Sequence, residues 1–493
     1  MVEWAVFPWQ DRMFTSADET LLTRAVASVE NAFANEAGGF SRSPGLEWFI
    51  QFPADRVYLK RWKNDLYAGT DRGKLYRLSY DQRLTDMTGV PISGGRRWTF
   101  DIGENPDMLL MAAGGPIIKL SDMRTEILSA QAPNTTHVGV VDGYVMAIEP
   151  FSNRFTFADV DRPTVWDPLS VFSANAKAED ANSLVITPYR EVLIGAQEHI
   201  EQYERLANGD QPFARRWSTG QGVGYPYTLL ADVTGTYGVN SKHEFVRFFG
   251  QVSQEKSQDI RQSLEEVDDW TDAWSGEMAI GGGRYMVLQM PFATNPYGTK
   301  GLTFTYDYSS SRFAFLYGAL SRGLPTRYPA WSFERCWNKT FVGVPGGVAV
   351  MDANNYQMFG EAWPFLVRTG HIDKYGPSRI DNLRIRIKRG ALQQYPVLRN
   401  ELGAPLLAER TLKPLRNEAK SPEPRLLGLR VNRDNEGFGP WMYEPMAPEG
   451  ETTLVCYFGS MGCANTWQFE MRCSSDVPVE TTRMEVYVER LQW

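Results

Sequence analysis

The chain is predicted to be all-β: a β-propeller of seven blades followed by a C-terminal antiparallel β-sandwich, with a short N-terminal helical arm. Three observations predict this. Aromatic residues make up 13%, with 43 glycines and 29 prolines, a mixture that suits short strands and tight turns. A hairpin-like unit recurs at a spacing of roughly 45 residues, the size of one four-stranded blade. After His371 the texture changes to cleanly alternating strands. Two β-sandwiches in tandem are the alternative architecture for the repeat region.

The elements follow in order. Residues 1–40 form the arm: Ser16 and Glu19 make a capping box, and Leu22, Ala25, Val26, Val29, Ala32 and Phe33 recur at helical spacing until Gly38 and Gly39. Residues 41–370 form the propeller. Its units are "DLYAGTDRGKLYRL" from Asp65, "MLLMAAGGPIIKLSD" from Met108, "YVMAIEPFSNRFTFAD" from Tyr144 and "EVLIGAQEHIEQYE" from Glu191. "YGVNSKHEFVRFFG" from Tyr237, "YMVLQMPF…LTFTYD" from Tyr285 and "FVGVPGGVAVMD" from Phe341 complete the set. Each unit is too small to bury both its faces, so neighbours must stack around an axis. Residues 371–493 form the sandwich, interrupted by an inserted arm at 390–425 between two strands that would otherwise pair.

Composition excludes several function classes. The formal net charge is −8, and residues 371–493 carry 17 basic and 16 acidic groups, so the acidity belongs to the part before them. A surface of that sign is not built to clamp nucleic acid. Four cysteines (Cys336, Cys456, Cys463, Cys473) have no zinc spacing, and His137, His199, His243 and His371 are scattered. No cofactor or metal set is expected. No apolar run approaches the ~20 residues that cross a membrane, and the N-terminus has no basic n-region, so membrane insertion is not expected.

Two stretches are candidates for function. In "SQEKSQDIRQSLEEVDDWTDAW" a helix is expected, with Ile260, Leu264 and Val267 on its apolar stripe. Eight acids lie between Glu255 and Glu277 against only Lys256 and Arg261. Glu265, Glu266, Asp268 and Asp269 are therefore a candidate acidic channel wall or interface. Adjacent carboxylates on a helix point about 100° apart, so they do not form a catalytic pair. In "VDRPTVWDPLSVFSANAKAED", Pro163 and Pro168 stiffen a loop that carries Asp161, Arg162, Trp166 and Asp167. "GQGVG" at 220–224 leads into "YPYTLL" rather than a helix, which argues against a phosphate loop. No nucleophile elbow or metalloprotease motif occurs, and no catalysis is expected.

The segment "VVDGYVMAIEPFSNRFTFADVDRPTVWDPLSVFSANAKAEDANSLVITPYREVLIGAQEHIEQYE" resembles the packaged-DNA stabilisation or tail hub (nozzle) proteins of short-tailed bacteriophages. "YGVNSKHEFVRFFGQVSQEKSQDI", "LTFTYDYSSSRFAFLYG", "FVGVPGGVAVMD", "GGFSRSPGLEWF" and "LRVNRDNEGFGPW" are similar to the same family. The arm and the insertion depart from it. The resemblance implies a structural virion protein, assembled in the host cytoplasm and placed in the virion tail. It implies a homohexameric ring around the DNA exit channel that retains packaged DNA and conducts it during ejection. The implied partners are further copies of the chain, the portal and its head-to-tail adaptor, tail fibres, spikes or needle, and viral DNA that passes without tight binding. An acidic wall suits that passage, because each neutralised phosphate would add binding free energy. In this setting the loop at 161–167 reads as a stiff contact loop. Arg399, Arg410, Lys413 and Arg416 of the insertion read as partner contacts, on an arm that orders upon assembly. A carbohydrate-binding or depolymerising tail protein, using 15 tryptophans and 22 tyrosines to stack sugars, is the alternative.

Overall fold

The computed structural model describes residues 2–7, 26–34, 39–121, 123–206, 212–280, 282–352, 355–372, 376–388, 426–446, 454–476 and 478–491. It divides into two compact units, one comprising 47–311 and 324–351, the other 1–46, 312–323 and 352–493. Nearly every element is a short antiparallel strand, as expected.

The larger unit is propeller-like, a succession of small antiparallel sheets. The first sheet holds Val57–Trp62, Asp65–Thr70, Leu75–Leu78 and Leu84–Asp86. The second holds Thr99–Glu104, Asp107–Ala112, Ile118–Leu120 and Thr125–Ile127. The third holds Val138–Val141, Tyr144–Ile148, Arg154–Phe157 and Val171–Ser173. The fourth holds Ser183–Ile186, Val192–Gly195, Ile200–Arg205 and Phe213–Ser218, and the fifth Leu230–Asp232, Gly235–Val239, Phe245–Phe249 and Val252–Glu255. Trp274–Ile280, Gly283–Thr294 and Lys300–Asp307 pair next. Ser332–Cys336, Lys339–Val344 and Gly347–Met351 pair last, and Leu46–Gln51 joins them from the start of the chain.

Turn chemistry explains why these hairpins form. Asp142-Gly143 and Trp337-Asn338 have positive φ at both central positions, the two-residue turn whose twist matches the flanking strands. Each recurrent sequence unit is the second and third strand of its sheet. Neither strand pair could bury its faces alone, and consecutive sheets share cores. Tyr67 and Leu75 of the first sheet pack with Leu109 and Ile118 of the second. Phe155, Phe157, Tyr203 and Phe213 fill the space between the third and fourth. Val348 and Phe341 of the last sheet pack with Val57, Leu59 and Leu66 of the first, so the series returns to its start.

The smaller unit holds two sheets, antiparallel except where Phe313–Phe315 pairs in parallel with Val26–Glu30. One runs Ala32–Ala34, Phe40–Arg42, Glu480–Arg490, Ser378–Lys388, Leu454–Ala464, with Val2–Phe7 also on Glu480–Arg490. The other runs Phe313–Phe315, Val26–Glu30, Phe365–Thr369, Trp467–Cys473, Leu426–Arg433, Met442–Pro445. At its centre the fully buried Glu470 lies opposite Arg368 on one neighbouring strand and Arg430 on the other, each 2.5 Å away.

Three expectations are corrected. The N-terminal helix is not formed where it is described: Val26–Glu30 and Ala32–Ala34 are strands, part of the smaller unit rather than a separate arm. Tertiary pairing with Phe365–Thr369 overrides the helical spacing, and Asn31, at φ 54°, ends the strand and binds the Pro364 carbonyl. Ser16 and Glu19 lie outside the described residues. The two strands flanking the insertion do not pair, since Ser378–Lys388 and Leu426–Arg433 belong to different sheets. The acidic helix is a single short element, a 3-10 turn Gln258–Ile260 running into Arg261–Glu265. Its start lacks a side-chain cap, and beyond it Asp268 and Asp269 bind backbone amides of Thr294 and Thr271 instead of prolonging it.

Candidate functional site

The first strands of the sheets in the larger unit line one cavity of about 680 Å³. Neighbouring first strands run in the same direction where they touch. Thr99 Oγ1 donates to the Thr136 carbonyl at 3.0 Å, and one step along, the Val140 amide donates to Asp101 at 2.6 Å. Tyr227 and Trp274 form a parallel bridge, and Ser332 Oγ links to Val57 and Leu59. This parallel order gives the cavity two chemically different ends.

At the end formed by the strand starts, Arg97 lies over the rings of Trp274 at 4.1 Å and Tyr58 at 5.1 Å. It donates to the Trp331 carbonyl at 2.7 Å. Burial lowers its pKa to about 10. His137 stacks on Tyr227 with ring centres 5.0 Å apart, and burial lowers its pKa to about 4. A second cavity of about 390 Å³ adjoins, sharing Tyr58 and Trp98 and lined also by Arg56 and Arg96. Farther along the strands, Lys60, Asp101, Glu277, Arg284, Glu334 and Arg335 line the larger cavity. Burial raises the pKa of Asp101 and Glu334, with Lys60 opposing in both cases. Arg284 binds Glu277 and Asp232, which raises its pKa further. Arg284 is thus answered by Glu277 and Asp232, and Lys60 acts on both Asp101 and Glu334. Among the described residues no group of three or more His, Cys, Asp or Glu could hold a metal ion.

The sequence-predicted residues are not gathered there. Trp166 is not an exposed contact: it is 5% exposed, packs with Met108, Leu110, Val138 and Ala147, and donates its indole N–H to Pro163 at 2.9 Å. Asp161, Arg162 and Asp167 are exposed; Asp161 adopts φ 55°, and Asp167 accepts from the Leu169 amide at 2.9 Å. Glu265 and Glu266 are exposed and none of the four acids lines the cavity. Asp268 accepts from the Thr294 hydroxyl and amide, both at 2.7 Å, and these bonds hold its pKa at about 2. Arg399, Arg410, Lys413 and Arg416 lie outside the described residues. "GQGVG" is a packing loop: a Cβ on Gly222 would meet the Ala196 carbonyl at 2.2 Å. Arg97 was missed; "RRWTF" before a strand was its only signal.

No family model and no curated protein matches the chain. Among solved structures, a computationally designed protein is 11% identical with a TM-score of 0.40, the match covering 62% of this chain and 99% of that one. BamB from Moraxella catarrhalis is 11% identical with a TM-score of 0.37, covering 71% and 97%. The extracellular domain of BT4673 from B. thetaiotaomicron is 10% identical with a TM-score of 0.43, covering 88% and 58%.

Proposed function

We propose that the chain is a seven-bladed β-propeller joined to a β-sandwich, and that it is a structural tail hub protein of a short-tailed bacteriophage. In this reading six copies ring the DNA exit channel, retain packaged DNA, anchor fibres or spikes and conduct DNA during ejection. The supporting observation is that the longest family-like segment, 140–204, coincides with nearly two complete successive sheets and the loop between them. Its matching residues therefore form one structural unit rather than scattered resemblances.

Two features agree with a role in assembly rather than catalysis. Four charged groups of the cavity are committed: Arg284 to Glu277, Asp101 to the Val140 amide, and Arg97 to the Trp331 carbonyl and the Trp274 face. The exposed large apolar side chains include Phe151, Leu169, Tyr189 and Phe249, which suit contact with other chains. The experiment is to produce particles without this chain. DNA is expected to be packaged and then lost, becoming nuclease-sensitive. Particles that keep a full genome and infect normally would overturn the proposal.

A further inference from the structure

We infer that the arginine-rich end of the cavity is a binding site for a small oxyanion, a phosphate or carboxylate group carried by a ligand from outside the chain. The argument begins with a count of charges. Arg56, Arg96, Arg97 and Arg327 converge around Tyr58 and Trp331, whose ring is flanked by Arg327 at 4.4 Å and Arg56 at 4.7 Å. Arg56 has a counter-ion, Asp272, at 2.7 Å. Asp71 caps the amides of Asp55 and Arg56, and Asp55 is exposed. No carboxylate of the described residues lies within ion-pair distance of Arg96, Arg97 or Arg327.

Such an arrangement is costly as it stands. Removing a cation from water without a partner is unfavourable, and the pKa of both Arg97 and Arg327 falls to about 10 through burial. Aromatic faces compensate only in part. The positions are also built rather than incidental. Gly301, at φ 95°, has no side chain, and a Cβ there would meet Arg327 Cγ at 2.1 Å. The Trp331 carbonyl fixes Arg97, and the Trp331 indole N–H has no acceptor among the described residues. Planar guanidinium forks match the paired oxygens of carboxylate and phosphate. The adjoining cavities give the ligand room; Asp55 and Asp71 also line the smaller one, and the far end of the larger one holds Asp101, Glu277 and Glu334.

The test is calorimetric titration of the full chain with inorganic phosphate and with malonate, using sodium chloride at matched ionic strength as the control. Binding of either oxyanion and not of chloride is expected; phosphate alone or malonate alone supports the site and tells which group it takes. R97Q should weaken binding by at least about tenfold, the loss of one guanidinium pair. R96Q, at an exposed position, should do the same with an unchanged circular dichroism spectrum, and it decides the matter if R97Q does not fold. R335Q, at the other end, should leave affinity within about twofold. No binding of either oxyanion, binding indifferent to R96Q in a folded protein, or binding abolished by R335Q would each overturn the inference.

Discussion

Replacing Trp166 with alanine separates a core residue from a contact residue. The side chain is 5% exposed and fills the space between the second and third sheets against Met108, Leu110, Ile117 and Val138. Truncating a buried tryptophan costs about 3–5 kcal/mol through lost transfer free energy and the cavity left behind. Losing the 2.9 Å bond to Pro163 adds about 1 kcal/mol, because that carbonyl is left without its donor. In a unit of this size roughly 2 °C accompanies each kcal/mol, so the free chain should melt about 8–12 °C lower. Trp166→Phe keeps most of the packing and should lose about a third as much. The assay is differential scanning calorimetry of the unassembled chain, with the melting of the larger unit followed by near-ultraviolet circular dichroism. A W166A chain that melts within 1–2 °C of the parent would refute the core assignment and return Trp166 to the surface of the contact loop.

Other expectations follow from named contacts. Glu470→Ala leaves Arg368 and Arg430 without their shared carboxylate and should destabilise the smaller unit by about 3–5 kcal/mol in denaturant titration. His137 is held below its ordinary pKa, at about 4, so the unfolded chain binds more protons between that value and about 6.5; stability is full above about 6.5 and falls as the pH drops toward 4. Its contribution to the loss approaches roughly 3 kcal/mol at about pH 4, and His137→Gln should flatten that part of the stability–pH curve. Asp268→Asn should loosen the attachment of the acidic segment to Thr294, read as faster amide exchange there, while Glu265→Gln and Glu266→Gln leave exchange unchanged. Chelation of divalent metal should leave the melting temperature unchanged, and a fall of several degrees reversed by zinc would contradict this.

The middle strands of the sheets were legible because their signal is local. "DGYVMAI" and "GGVAVMD" alternate or run apolar beside a glycine-bearing turn, and the backbone twist of such turns fixes the register. The first strands were much less so. Thr99–Glu104 mixes Asp101 and Gly103 with Phe100 and Ile102 because it lines a cavity with charged walls, so no clean period survives. The pairing of Val26–Glu30 with Phe365–Thr369 joins residues more than 300 apart, and nothing in the N-terminal stretch reports it. Trp166 misled for a related reason: prolines and charges on both sides look exposed, while the ring turns inward on a bond to its own loop. The candidate site was hidden because its four arginines come from three places far apart in the sequence, and only the fold brings them together. Arg56 stands before Val57–Trp62, Arg96 and Arg97 before Thr99–Glu104, and Arg327 at the end of Leu324–Arg327.

The tail hub reading is tested most directly by imaging virion tails that carry a tagged copy of this chain. Six tags ringed around the DNA exit channel below the portal are predicted. Particles that contain no copy of the chain, or three or twelve copies, would contradict it.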